Sequence, residues 1–171
     1  LNKFLQINYE FLPYVQDIYE ICKNKIKLYT YKKHPDYINP NTKWPGLRSQ
    51  KLNHIEPFLH LLLLKEAENK FKFDPKLYRE IHSYVHLRSE ESNGEEFIHQ
   101  DTCDTMLIYL SDSNLKSGTR FYSNEQEPIS EVNFVQNTAV YFDGSIFHGS
   151  LKNYGDSIDN GRMTINIFCF R

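Results

Sequence analysis

The sequence is short of most features that would classify it at a glance. Only three of its 171 residues are cysteine, Cys22, Cys103 and Cys169. That is too few and too widely spaced for a disulfide framework or a zinc knuckle, so a reducing cytoplasm is the expected compartment. Long apolar runs are missing too. The stretch Leu59–Leu64 is far too short to span a bilayer, and no signal-peptide pattern is present, so no membrane partner is expected. Charge of one sign is lacking: 20 Lys and Arg stand against 22 Asp and Glu, a formal net charge of −2. Bulk charge therefore gives no grip on nucleic acid. There is no internal repeat and no low-complexity tract.

What the chain does have is aromatic side chains, twelve Tyr and twelve Phe, which a disordered segment would not carry. Its length fits one domain, residues 1–171, with a sizeable core. It begins at Leu1 and not at Met, which leaves room for a short preceding piece.

The hydrophobic period divides the chain. Residues 1–80 read as mainly helical. Phe11, Leu12, Val15, Ile18, Tyr19 and Cys22 recur at three- and four-residue steps and give one apolar face. The cluster Lys23, Lys25, Lys27, Lys32 and Lys33 reads as the solvated end of that region. Pro35, Pro40, Pro45 and Gly46 punctuate a loop that carries Trp44-Pro-Gly-Leu-Arg-Ser49. A second helix is expected from about Glu56 to Phe71, with Pro57 in its first turn and Phe58, Leu61, Leu62, Lys65 and Ala67 near one another.

From Ile81 the period becomes two. Ile81, Ser83, Val85 and Leu87 alternate with His82, Tyr84, His86 and Arg88. Further strands are expected at 97–101, 105–110, 119–122, 131–135, 138–142 and 163–170, separated by turn residues such as Asp143-Gly144 and Asp159-Asn-Gly161. Many short strands after a helical preface predict an α+β fold, with residues 81–171 forming a jelly roll flanked by helices.

Three residues in the strand-rich part form a candidate metal site. His99 and Asp101 lie two apart, so on a strand they point the same way, with Gln100 facing away. His148 follows 47 positions after Asp101. Two imidazoles and one carboxylate suit Fe(II) or Mn(II) with open positions, and would also hold zinc with a bound water. Fourteen residues after His148 comes Arg162, in the run Gly161-Arg-Met-Thr-Ile-Asn-Ile-Phe168. Alternation puts Arg162, Thr164, Asn166 and Phe168 on one face and Met163, Ile165, Ile167 and Cys169 on the other. A buried guanidinium needs an anion beside it, and with a hydroxyl two residues on it makes a cradle for a carboxylate. Of the other histidines, His86 is the one whose strand could line the same cavity.

The order His-x-Asp, His, Arg-x-Thr resembles that of the Fe(II)/2-oxoglutarate-dependent oxygenases. The likeness covers about Ile81–Phe170 and is to the prolyl-4-hydroxylase-like and small phage and marine-bacterial members. Leu107-Ile-Tyr-Leu110 followed by Ser117-Gly-Thr-Arg-Phe-Tyr122 is similar to their strand pair after the iron motif. Asn137–Gly144 leading into Phe147-His-Gly149 is similar to their approach to the distal ligand.

The resemblance implies a double-stranded β-helix with the N-terminal helices packed on one sheet. It implies Fe(II) held by His99, Asp101 and His148, with O2 and 2-oxoglutarate as co-substrates and ascorbate as an accessory reductant. The distal carboxylate of 2-oxoglutarate would meet Arg162 and Thr164, with Tyr84 or Tyr109 as a further hydroxyl donor. The implied reaction is hydroxylation of an unactivated C–H, with release of succinate and CO2, on a prolyl or other peptide residue or on a free small molecule. Related halogenases replace the carboxylate ligand with a small residue; here Asp101 is intact, which favours hydroxylation. Arg88, Arg120, Tyr122 and the Trp44–Ser49 loop are candidate substrate contacts.

Two other readings compete. A nucleic-acid demethylase of the same superfamily would carry a second Arg six positions after the first, but position 168 is Phe and the next Arg is Arg171. A non-catalytic jelly roll holding zinc or a vestigial site is the third. The sequence names no substrate and no oligomeric state.

Overall fold

A computed structural model describes residues 4–36, 43–95, 98–124 and 127–171. Pro40 and Phe97, both used in the sequence reading, lie outside the described residues.

Among the described residues, ten strands form two antiparallel sheets. The larger takes β1 (Leu5–Asn8), β2 (Leu28–Tyr29), β3 (Leu47–Ser49), β4 (Glu80–Arg88), β5 (Asp104–Tyr109), β8 (Ala139–Phe142) and β10 (Arg162–Phe170). Their spatial order is β1-β8-β5-β10-β4-β3-β2. The smaller sheet is β7-β6-β9, from β6 (Asn114–Tyr122), β7 (Pro128–Phe134) and β9 (Phe147–Ser150). This is the jelly-roll arrangement that the alternating pattern predicts.

Alternation along β10 decides the layering. Met163, Ile165, Ile167 and Cys169 are completely buried, and they pack with Val85, Leu87, Met106 and Ile108 of the neighbouring strands against the helices. Burying each aliphatic side chain of this kind contributes about 1.5–3 kcal/mol. The other face of the same strand turns toward the small sheet. There Leu107, Tyr109, Val140 and Phe142 meet Phe121, Val132 and Phe134 in a second apolar layer.

Helix α1 (Val15–Lys25) starts after Tyr14, which sits in the left-handed region at φ 53°. Asp17 in its first turn and Lys23 and Lys25 in its last match the helix dipole. It buries Ile18, Tyr19 and Cys22, as the spacing predicts, while Phe11 and Leu12 join the same core from outside the helix. After the short α2 (Leu52–Ile55), α3 spans Pro57–Lys70 with its proline in the first turn.

The residues of α3 that lie near one another by spacing, Phe58, Leu61, Leu62, Lys65 and Ala67, do not together make its buried face. Phe58 is 86% exposed and Leu61 60%, whereas His60, Leu63 and Ala67 are buried. Leucines at 59 and 61–64 make the helix apolar nearly all round, so the period cannot choose a side. The polar His60 can face inward because its Nδ1 pairs with the Ser83 hydroxyl on β4 at 2.8 Å. The first eighty residues also supply β1, β2 and β3, strands of two to four residues at or near the sheet edges.

The cysteines are all buried and unpaired. No helix among the described residues is long and apolar enough to cross a membrane.

Candidate metal centre and its cavity

His99 and His148 are held together by the backbone. The His99 N–H donates to the His148 carbonyl at 3.0 Å, and the His148 N–H returns the bond to His99 at 2.9 Å. This pair is an isolated bridge, not part of the longer strand expected at 97–101. His99 and Asp101 still bring their ligand atoms together, and the Asp101 N–H donates to the Gly144 carbonyl at 2.8 Å, outside the register of that bridge.

Gly144 is needed at that contact. A Cβ there would lie 1.8 Å from the Cys103 carbonyl oxygen and 2.9 Å from the Asp101 Cβ. The turn is fixed by Asp143, whose carboxylate accepts the Ser145 N–H at 2.9 Å and whose carbonyl accepts the Ile146 N–H at 2.9 Å. Two residues on, His148 enters β9.

One ligand atom each from His99, Asp101 and His148 lies within 4.8 Å of the others. Nε2 of His148 is 3.5 Å from Asp101 Oδ2, and Nε2 of His99 is 3.8 Å from Oδ1. Nδ1 of His148 donates to the Ile146 carbonyl at 2.9 Å, which leaves Nε2 turned toward the carboxylate. The Thr105 hydroxyl donates to Asp101 Oδ2 at 2.7 Å and orients it from behind. Burial pushes the Asp101 carboxyl up, but His148, Thr105 and His99 outweigh it and hold the group below its ordinary value. A carboxylate and two imidazole lone pairs converging in this way are the donor set for a first-row divalent ion.

The cluster opens on a cavity of about 310 Å3 between the sheets, walled on the far side by Arg162, Thr164, Asn166 and Phe168. That is the face of β10 assigned to it by alternation. Arg162 is 5% exposed. Its Nη2 donates to the Gly118 carbonyl at 3.2 Å, and its guanidinium lies over Phe134 and Tyr109 at 5.2 and 5.8 Å from the ring centres. Its Nε is buried with no hydrogen-bond partner. Burial lowers the Arg162 pKa from its ordinary value. Arg88, directly across the β4–β10 ladder from Arg162, also lines the cavity and donates to the Ser150 hydroxyl at 2.7 Å. Two like charges facing each other across a ladder are unfavourable alone, and an anion between them removes the penalty.

Thr164 lines the cavity with its hydroxyl donating to Asn166 Oδ1 at 2.7 Å. The two tyrosines expected as hydroxyl donors are placed differently. Tyr109 is fully buried and its hydroxyl donates to Thr119 Oγ1 at 2.8 Å, so it backs Arg162 with its ring instead of offering an oxygen to the cavity. Tyr84 packs its ring on Phe168 and against Arg48 and is not part of the cavity wall. Arg120 pairs with Glu131 at 2.5 Å on the exposed side of β6, away from the site.

His86 does reach the cavity. Its Nε2 pairs with the Pro45 carbonyl at 2.9 Å. Burial holds its pKa well below the ordinary value, and Arg48, Arg88 and Arg162 push the same way, so the ring is neutral. Thr105 and Thr119 are wall residues that the sequence did not single out. Their strand faces were legible, but not which of their neighbours they touch.

No protein-family model matches the sequence, nor does any curated protein. Solved structures do. HygX from Streptomyces hygroscopicus, solved with nickel and 2-oxoglutarate bound, superposes with a TM-score of 0.63 over 98% of this chain and 83% of its own, at 10% identity. A prolyl hydroxylase from Trichoplax adhaerens, in complex with a peptide fragment of hypoxia inducible factor, gives 0.59 over 97% and 83% at 14% identity. SnoN, a non-haem α-ketoglutarate-dependent epimerase from nogalamycin biosynthesis, gives 0.61 over 98% and 79% at 8% identity. The chain therefore has the fold of the Fe(II)/2-oxoglutarate-dependent oxygenases.

Proposed function

We propose that the protein is an Fe(II)- and 2-oxoglutarate-dependent dioxygenase that hydroxylates an unactivated C–H bond of its substrate. The observation that carries this reading is the convergence of His99, Asp101 and His148 within 4.8 Å on the wall of a cavity that also holds Arg162.

In this reading His99, Asp101 and His148 are the iron ligands. Thr105 and the Ile146 carbonyl fix the orientations of Asp101 and His148. Arg162 anchors the distal carboxylate of 2-oxoglutarate through its guanidinium, with Thr164 beside it and Arg88 contributing charge. Bound Fe(II), 2-oxoglutarate and O2 would supply oxidative decarboxylation to succinate and CO2 coupled to hydroxylation. Around them the chain supplies Phe168 and Leu107 as apolar walls that limit water at the reacting centre.

The test is anaerobic addition of Fe(II) and 2-oxoglutarate to the metal-free protein, followed by visible spectroscopy. A charge-transfer band should form, vanish in His148→Ala and need far more 2-oxoglutarate in Arg162→Leu. No band from folded protein shown to bind iron would refute the assignment.

A further inference from the structure

We infer that Arg48 is the anchor for an acidic substrate, and that the substrate is a small molecule carrying a carboxylate. This rests on the oxygenase reading for the chemistry, but not for the existence of the anion site.

Arg48 belongs to β3 and lies directly across the ladder from His86. Its guanidinium sits against three aromatic rings, 4.5 Å from the centre of Trp44, 5.3 Å from Tyr84 and 5.8 Å from Phe168. It lines the same cavity as the metal cluster. Its Nε is fully shielded from solvent and has no hydrogen-bond partner among the described residues. Burial depresses its pKa to about 10, and the charges of Tyr84 and Asp101 offset this only in part. Asp101 is the ligand carboxylate, which a bound cation would neutralise.

The position of Arg48 separates it from the co-substrate anchor. Arg162 reaches toward Phe134 and Tyr109 at one end of the cavity. Arg48 reaches toward Tyr84 and Phe168 at the other. Arg48 stands opposite His86, two residues or about 7 Å along β4 from Arg88, and its guanidinium is turned further from that end, against Tyr84 and Phe168. One short diacid held at Arg162 and Arg88 therefore leaves Arg48 without an anion.

The charge of the lining gives the same answer. Among the described lining residues, four cationic side chains, Lys43, Arg48, Arg88 and Arg162, face one carboxylate, Asp101, an excess of three positive charges. A divalent metal and a 2-oxoglutarate dianion cancel each other, so the excess survives loading and favours an anionic third component. A single guanidinium among aromatic rings suits a planar carboxylate, taken edge-on by its N–H groups, better than a tetrahedral phosphate needing several donors. A cavity of about 310 Å3 lies at the small end of the range for ligand sites and fits a free organic or amino acid.

The experiment uses protein loaded with Ni(II) and 2-oxoglutarate, titrated with propionate and, separately, with the neutral isostere propionamide. The readout is the Arg48 Nε–H resonance in 15N NMR, assigned with Arg48→Gln. Saturable movement with propionate and none with propionamide is the expected result. Followed on the indole N–H resonance of Trp44, whose ring lies 4.5 Å from the guanidinium and is kept in both variants, Arg48→Gln should weaken propionate binding at least tenfold while shifting 2-oxoglutarate affinity less than twofold. Arg48→Lys should recover part of the binding, which a purely structural role would not predict. A resonance unmoved by saturating propionate overturns the inference. So does one that 2-oxoglutarate alone moves and saturates, since Arg48 would then belong to the co-substrate site. Failure of the oxygenase reading appears separately, as a missing charge-transfer band. The propionate titration can be read in metal-free protein whichever way that falls.

Discussion

His99 and His148 donate to each other's carbonyls although 49 positions separate them in sequence, at 3.0 and 2.9 Å. Two of the three proposed metal ligands are thus placed by main-chain geometry, which side-chain substitution leaves in place. The third, Asp101, depends on a side-chain partner. Thr105→Val removes the 2.7 Å bond to Asp101 Oδ2 while keeping the shape. Fe(II) affinity should fall about 10- to 100-fold, measured by competition with a chelating dye, with the far-ultraviolet spectrum unchanged.

Gly144 predicts a stronger effect. In Gly144→Ala the new methyl would have to displace the Cys103 carbonyl from 1.8 Å. The loop holding Asp101 must shift, at a cost of about 1–3 kcal/mol in urea unfolding. Metal affinity should fall with it, because the Asp101 N–H bonds to Gly144 itself.

The face of α3 can be tested by two truncations. Leu63→Ala, at a completely buried position, should cost about 2–5 kcal/mol. Phe58→Ala, at a position 86% exposed, should stay within about 0.5 kcal/mol. The reverse ranking would contradict the observed packing.

A pH dependence follows from His86. Its folded pKa is held well below 6.5 by burial and by three arginines, so it stays neutral where the unfolded chain takes up a proton. Above pH 6.5 this costs nothing. As pH falls below 6.5, stability falls by up to about 1.4 kcal/mol per pH unit for this one group. Urea midpoints at pH 7.5, 6.5 and 5.5 should decline in that order. His86→Leu should flatten the decline without abolishing it, because burial lowers His60 and His82 as well.

Much of this was legible in the sequence wherever a segment has two unlike faces. Arg162–Phe170 reads correctly because core and cavity lie on opposite sides of one strand, so a period of two separates Met163, Ile165 and Ile167 from Arg162 and Thr164. His99 and Asp101 read correctly as a pair for the same reason, although the expected strand is an isolated bridge. Reading failed where the faces are alike, as on the leucine-rich α3. It also failed where the answer lies in another segment. Nothing local to Tyr109 tells that its hydroxyl is taken by Thr119. The Trp44–Ser49 loop could be named as a substrate contact, but the importance of Arg48 comes from its register against His86 and its three aromatic neighbours.

The bond from Arg162 to the Gly118 carbonyl runs between the two sheets, from β10 to β6. His148 rides on the small sheet, while Arg162 is rooted in the large one. The gap between the sheets is set by two aromatic pairs, Tyr109 stacked on Phe134 and Phe121 edge-on to Phe142. Those rings act as the spacer of a caliper, with one jaw carrying a histidine and the other an arginine. Thinning the spacer would change the span being gauged without touching either tip, so remote aromatic substitutions would alter the distance between His148 and Arg162.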